Sequence, residues 1–370
     1  MAKKIIAIVF IILSFTSLIR TTIILWENFL PDFSTRYNSG ILLLKHKDPY
    51  INLNSFTPEN YPPFALLFHL PFSFLSLQQA EKIWLIISLF SFFLTLIILC
   101  RFLPLSFFKF SLFFLLSSIS FPLKFTLGMG QINLILLFIV VAFIALLQKR
   151  NNIYAACMLS LAISLKLFPI TYIIIPFVKK QWKLLFITCY FLGIFFLLPI
   201  FFFGQDITVY YFTKIFTSLA FGSSGGDYYN QSITGFLSRL SISSNIIFII
   251  KTLLFGIFLI HFTKSKRNHF YMFSLTTLIT LLLNNFTWQH HLILLLPVYW
   301  YLFKSYKNNV SLFLLFISYI LVVINIANPG IFINSWYRGI ILSHGFFGMV
   351  LLLCLLLSLA KKNSKDSYVF

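Results

Sequence analysis

Asp32 and Asp48 stand in "PDFSTRYNSGILLLKHKDPY", Pro31 to Tyr50, in a chain with only eight acidic residues among 370. A carboxylate fixed at a membrane surface can take the proton of an attacking hydroxyl. It can equally cap a helix, because Asp before Phe-Ser-Thr is a respectable N-cap. Spacing alone leaves both roles open for Asp32. Asp48, inside "DPY", is expected to fix the turn before Pro49.

Four further polar islands interrupt the apolar chain: "GMGQINL" (128–134) with Gln131, "GDYYNQS" (226–232) with Asn230 and Arg239 nearby, "NNFTWQHH" (284–291) with Trp288, His290 and His291, and "NSWYRG" (334–339). Singly, each is ordinary interfacial anchoring. Lys166, in "LKLFP", is costly inside a membrane and so a functional candidate, with snorkelling as its bland alternative. Arg20 and Lys251 lie nearer helix ends and fit snorkelling better. A histidine pair can bind zinc or shuttle protons, or serve structure at the interface. No Cys or ExxH-type partner accompanies this one, Cys100, Cys157, Cys189 and Cys354 are solitary, and no acidic cluster suits magnesium. P-loop, dinucleotide, GxSxG and DxD motifs are absent, so no nucleotide donor, cofactor or metal is expected.

The elements that must position these residues are membrane helices. The chain is 59% apolar and 10% charged, with 49 Phe, and its apolar runs lack the strict alternation of a barrel. Expected spans lie near 5–26, 81–100, 107–122, 131–148, 184–204, 244–262, 269–284, 291–303, 309–327 and 339–360. The fold is thus all-α and polytopic, a single domain over 1–370 with about ten full transmembrane helices. Segment 153–178 is expected to be a helical hairpin, with one long tilted span as the alternative, because Pro169 breaks it and basic residues flank both ends.

The net charge of +20 suggests membrane topology rather than nucleic acid. The clusters Lys3-Lys4, Lys149-Arg150, Lys179-Lys180, Lys264 to Arg267 and Lys361-Lys362 all fall on one face, which the positive-inside rule makes cytoplasmic together with both termini. The N-terminal run reads as a retained helix, since no small-residue cleavage site follows it. All acidic residues except Asp366 then project outward, and outer loops near 27–80 and 205–243 hold most of the polar chemistry. "SGILLLKH" reads as an interfacial helix, and Pro31, Pro49 and Pro62-Pro63 as helix starts or stops.

In order, the islands resemble glycosyltransferase family 87, the polyprenyl-phosphate-mannose-dependent mannosyltransferases of the type C class. The resemblance rests on Asp32-Phe33 with Tyr37, Gly40 and "DPY"; on "YPPF" (61–64), "GQINL" (130–134) and "SLKLFP" (164–169); and on "NQS" (230–232) with Arg239 and "WQHH" (288–291), over roughly residues 20–300. Arg36-Tyr37 departs from the two adjacent aromatics common in the family.

The resemblance implies that the first outer loop and the outer helix ends enclose the active site, with Asp32 at the position of the base that activates the acceptor hydroxyl. It implies transfer with inversion from a polyprenyl-phosphate-linked sugar, most readily mannose, to a glycolipid or glycan on the periplasmic or extracellular face of the inner (cytoplasmic) membrane. Donor phosphate or acceptor contacts are expected from Lys166, Arg239, His290, His291, Tyr37, Gln131, Asn230 and Trp288, without metal. A departing phosphate needs cations or hydrogen-bond donors; Lys166, Arg239, His290 and His291 lie in motifs that match the family, and Arg36 and Lys124 stand behind them on position alone. A transporter or flippase of lipid-linked sugars, or an O-antigen-type ligase or polymerase, is the rival reading. Against transport, no inverted repeat is evident.

Overall fold

The computed structural model describes residues 2–51, 58–221, 226–264, 268–332 and 337–365. Lys266-Arg267, Asn334 to Trp336 and Asp366, singled out above, lie outside the described residues. Apart from an isolated bridge between Asn230 and Trp288, the described residues form helices and the segments that join them. The chain separates into two compact units. One comprises Met1–Phe102, Phe107–Ile119 and Leu123–Gly222, the other Leu103–Ser106, Ser120–Pro122 and Ser223–Phe370.

The first unit begins with α1 (Ala2–Trp26) and α2 (Pro31–Leu44). Pro31 starts α2 because its missing N–H is not needed in a first turn and its φ is already helical. The interfacial helix therefore begins ten residues or so before "ILLL" and includes Asp32 in its first turn. Leu30 is the N-cap and no side chain caps it, so Asp32 does not hold the capping position. Asp48 accepts from the Tyr50 N–H at 2.8 Å, the turn-fixing bond expected of it. Pro63 starts α3 (Pro63–His69), and a 3-10 turn to Phe74 leads into α4 (Leu77–Phe102).

Next come α5 (Phe107–Ile119) and α6 (Phe121–Met129), bent by 48°. A tight turn follows at Gly130, where φ is +67° and an added Cβ would lie 2.6 Å from Phe33 Cβ. Only glycine lets the backbone cross α2 so closely. The chain continues through α7 (Asn133–Gln148) and α8 (Asn152–Leu165) to a break at Lys166, which is extended. Residues 168–173 form a 3-10 turn, followed by α9 (Ile174–Val178), α10 (Trp182–Phe203), α11 (Gln205–Tyr210) and α12 (Phe216–Phe221).

Two contacts show how 153–178 runs. Ser160 Oγ donates to Thr188 O at 2.9 Å, pairing the middle of α8 with the first half of α10. The segment 61–64 meets both far ends: Lys166 Nζ lies 5.3 Å from the Tyr61 ring, and the tilted rings of Phe64 and Phe195 lie 4.7 Å apart. α8 and α10 are therefore parallel, and the chain between them must come back. The segment rises, turns over at Lys166 and returns in two arms rather than making one crossing. Its ends are alike: Arg150 and Lys180 are left-handed (φ 57° and 54°), and Asn151 and Gln181 close back to Leu146 O and Pro176 O. Both turns put cations at helix C-termini, where the dipole favours them.

The second unit contains α13 (Ile233–Arg239), α14 (Ser244–Lys264), α15 (His269–Leu283), α16 (Leu296–Ser305), α17 (Asn309–Val323), α18 (Arg338–Ile341) and α19 (His344–Lys365). Ser232, Asn268 and Asn308 cap α13, α15 and α17.

Among the described residues, α1, α4, α10 and α14 are long and apolar enough to span a membrane, with the α5–α6 pair as a fifth. The protein is a multi-pass membrane protein. The sequence reading expected about ten full spans, whereas the other apolar runs form shorter helices, such as Asn133–Gln148 and His269–Leu283. At 1.5 Å per residue these cover about 24 Å of a core of about 30 Å. The expected span 291–303 is split, with a 3-10 turn over Gln289–Leu295 ahead of Pro297, near the start of α16. Irregular backbone at such depth is tolerated where neighbouring protein covers it.

Candidate functional site

The first unit gathers a buried, charged centre. Asp32 is 7% exposed and accepts a hydrogen bond on Oδ2 from Gln131 Nε2. Tyr61 O–H donates to Gln131 Oε1 at 2.7 Å, which fixes the amide's orientation. Gln131 is delivered by the Gly130 turn, whose carbonyl receives Trp84 Nε1–H at 2.8 Å. "GQINL" and "YPPF" thus converge on Asp32 from 99 and 29 residues away.

Arg36, one turn after Asp32, places Nη1 3.9 Å from Asp32 Oδ1 and donates to the Asp32 carbonyl at 3.0 Å. Its Nε faces Glu59 Oε1 at 3.5 Å, and its Cζ lies 4.1 Å over the Tyr61 ring. Burial opposes the Arg36 charge, but Glu59, Tyr61 and Asp32 outweigh it and leave the guanidinium a stronger base than usual. Lys166 Nζ donates to Asn133 Oδ1 at 2.9 Å, over the Tyr61 ring. It is held inside the protein by side chains and does not reach out to solvent as a snorkelling lysine would.

The sequence reading missed Glu59, Asn133 and His69 in this centre. Glu59 lies two residues before "YPPF", and Asn133 lies inside "GQINL", so proximity to those motifs was the available signal. His69 donates from Nδ1 to Ala65 O and its ring lies 4.7 Å from that of Trp84. Burial pushes its pKa down to about 3, so the ring is neutral. Tyr37 lies apart from Asp32 in its bonding: its hydroxyl donates to Leu75 O and its carbonyl accepts from Ser73 Oγ. Lys124 is exposed on α6.

The second unit brings together Asn230, Arg239, Trp288, His290 and His291. Asn230 spends its side chain on backbone, donating to Asn285 O and accepting from Ser232 N and Thr287 N. Arg239 is 7% exposed; Nε donates to Ser343 Oγ at 3.0 Å and Nη1 to Asp227 O and Asn230 O at 2.7 and 2.9 Å. Its Nη2 has no hydrogen-bond partner among the described residues. Gly226 makes room for it: a Cβ there would lie 3.0 Å from Arg239 Cγ. Burial first, then the charge of Arg338, pushes the Arg239 pKa down to about 10.

The Trp288 ring stacks between Tyr229 and His290, and His291 Nδ1 accepts from Trp288 N at 3.2 Å. His344 was also missed. Its Nδ1–H donates to Leu321 O, so Nε2 is the acceptor for Tyr228 O–H at 3.1 Å and Gln289 Nε2 at 3.3 Å. Lys251, part-buried, donates from Nζ to Asn285 Oδ1 in the polar island 284–291. Among the described residues no three His, Cys, Asp or Glu side chains converge.

The sequence profile of glycosyltransferase family 87 matches residues 60–323, more than two thirds of the chain. The match begins after the segment that carries Asp32. No curated protein matches the chain. Among solved structures, two crystal structures of ArnT from Cupriavidus metallidurans are similar. The form bound to undecaprenyl phosphate is 11% identical, with a TM-score of 0.48 over 96% of this chain and 76% of that chain. The apo form is 13% identical, with a TM-score of 0.38 over 96% and 77%.

Proposed function

Because the chain belongs to glycosyltransferase family 87 and is a membrane glycosyltransferase, we propose that it moves a sugar, mannose in the first instance, from a polyprenyl-phosphate donor to a hydroxyl of a glycolipid or glycan. Asp32 is the general base. The observation that carries this reading is the fixed, buried carboxylate of Asp32 between Gln131 and Arg36.

A sugar hydroxyl does not ionise near neutral pH, so its proton must leave as the new bond forms. In the proposed step the acceptor oxygen attacks the anomeric carbon opposite the phosphate and its proton passes to Asp32. The bond to the phosphate oxygen breaks with its electron pair, and configuration inverts.

Charge balance in the centre supports the assignment. With Lys166 protonated, Arg36 and Lys166 are matched by Asp32 and Glu59. When Asp32 takes the proton the centre gains one positive charge, just as the departing phosphate gains one negative charge. Preorganised groups of this kind lower the barrier because they need not reorganise during reaction. In this reading Lys166 is the cation for the phosphate. In the second unit, the Nη2 of Arg239 supports a contact with an anionic lipid headgroup. No cofactor or metal is required by this scheme, and the reaction is assigned to the outer face of the inner membrane.

The transferase family membership favours this reading over a flippase or a ligase. The test is donor use by purified protein in nanodiscs: polyprenyl-phosphate-mannose with octyl mannoside and a glycolipid panel should give product of inverted anomeric configuration. Transfer from a nucleotide sugar alone, or retained configuration, would refute it.

A further inference from the structure

Glu59 has so far entered only the charge balance, yet its carboxylate is held by three donors. It is 3% exposed. Oε1 accepts from Asn60 N and Tyr61 N at 2.9 and 3.0 Å, and Oε2 accepts from Ser39 Oγ at 2.7 Å. Three donors hold it in place without help from Arg36, so Glu59 is a prefixed anion to which Arg36 responds.

Arg36 is in turn held from several sides. Glu59 faces Nε, Asn60 Oδ1 accepts from Nη2 at 3.0 Å, and the guanidinium lies over the Tyr61 ring. An arginine four residues after an aspartate on a helix can close an ion pair on the carboxylate, and Arg–carboxylate pairs are frequently two-pronged. Here Nη1 bonds the Asp32 peptide carbonyl and stays 3.9 Å from the carboxylate oxygen. Arg36 therefore meets Asp32 through the peptide carbonyl and one longer charge contact rather than through a two-pronged pair.

We propose that Glu59 is a positioning residue that sets where the Arg36 guanidinium stands relative to the Asp32 carboxylate, the group that takes the acceptor's proton. The inference rests on Asp32 being the base. Among the described residues, Tyr61 from the loop and Lys166 from the end of α8 also act on Asp32, His69 from α3 faces the Arg36 charge, and the Glu81 carboxylate from α4 accepts from Leu30 N, two residues before Asp32.

The two partners predict opposite shifts. With Glu59→Gln, Arg36 relaxes toward Asp32 and a negative charge is lost, so Asp32 becomes harder to protonate. With Arg36→Gln, Asp32 loses its nearest cation and becomes easier to protonate. An opposite charge at this range moves a carboxylate by about one pH unit or more.

The experiment is the pH dependence of kcat and KM from pH 4 to 9 for protein in nanodiscs, with polyprenyl-phosphate-mannose and octyl mannoside. An activity-free readout runs beside it: infrared titration of the protonated-carboxyl band that Asp32→Asn removes. Glu59→Gln should lower kcat several-fold, leave KM within about twofold and move the acidic limb and the band down by about one pH unit. Arg36→Gln should move both up, and Glu59→Asp should restore the profile. Thermal unfolding of each variant reads any loss of fold; if Arg36→Gln does not fold, the shift in Glu59→Gln decides alone. Unmoved profiles, or shifts of the same sign, would overturn the role of Glu59. Full transfer by Asp32→Asn would instead remove the base reading on which it rests.

Discussion

Replacing Gly130 with alanine asks whether one turn places the proposed base's partner. The backbone there is left-handed, and the new methyl would lie 2.6 Å from Phe33 Cβ and 3.0 Å from Leu30 Cβ. Neither atom is the end of a flexible side chain. The turn is also pinned by the Trp84 indole on the Gly130 carbonyl, so it cannot slide away without breaking that bond. A left-handed alanine costs about 1–2 kcal/mol, and overpacking adds about 1–3 kcal/mol. The sum, about 2–5 kcal/mol, would lower the midpoint of thermal unfolding by on the order of 5–10 °C. Because Gln131 is the next residue, transfer activity should fall with it. Thermal unfolding in one detergent and the initial transfer rate measure the two effects. Gly193 in α10, whose added Cβ meets nothing within 4 Å, is the control, and Gly193→Ala should be neutral or stabilising by up to about 1 kcal/mol. Gly130→Ala as stable and as active as Gly193→Ala would refute the reasoning.

His69, neutral when folded with its pKa near 3, takes up its proton at higher pH when unfolded. The folded state bears no proton-linked penalty above the unfolded value of about 6.5, and stability is lost as pH falls toward 3, the loss being about 2 kcal/mol at pH 5. Unfolding midpoints measured from pH 7 to 5 should therefore fall less steeply in His69→Gln than in the native protein. Arg239→Lys loses the fork that serves Ser343, Asp227 and Asn230. It should destabilise the protein by about 1–3 kcal/mol in denaturant titrations and raise KM for the lipid donor. Asp48→Ala should cost at most about 1 kcal/mol and leave kcat unchanged, since it removes only the turn bond to Tyr50.

Where a role depends on neighbours in sequence, it was legible. Pro31 and Pro63 start helices, Asp48 closes its turn, and the break at "LKLFP" falls at Lys166. Where a role depends on residues far along the chain, sequence could offer only candidates. Asp32 looked as much like a cap as a base because its partner, Gln131, is 99 residues away. Glu59 looked like one more outer acid because Ser39 and Arg36, which meet it, precede it by 20 and 23 residues. Apolar length marked the spans, but it did not register that Pro297 or the α5–α6 bend would divide them.

Asp32→Asn keeps the side chain's size and removes its proton-accepting charge. The direct measurement is single-turnover transfer from polyprenyl-phosphate-mannose, with donor binding and thermal unfolding recorded on the same preparation. A general base contributes about 10²–10⁴ in rate, so transfer should fall by that factor while binding and unfolding stay close to native. Transfer within a few-fold of native would contradict the assignment of Asp32 as the base, and loss of fold in step with loss of rate would make its role structural.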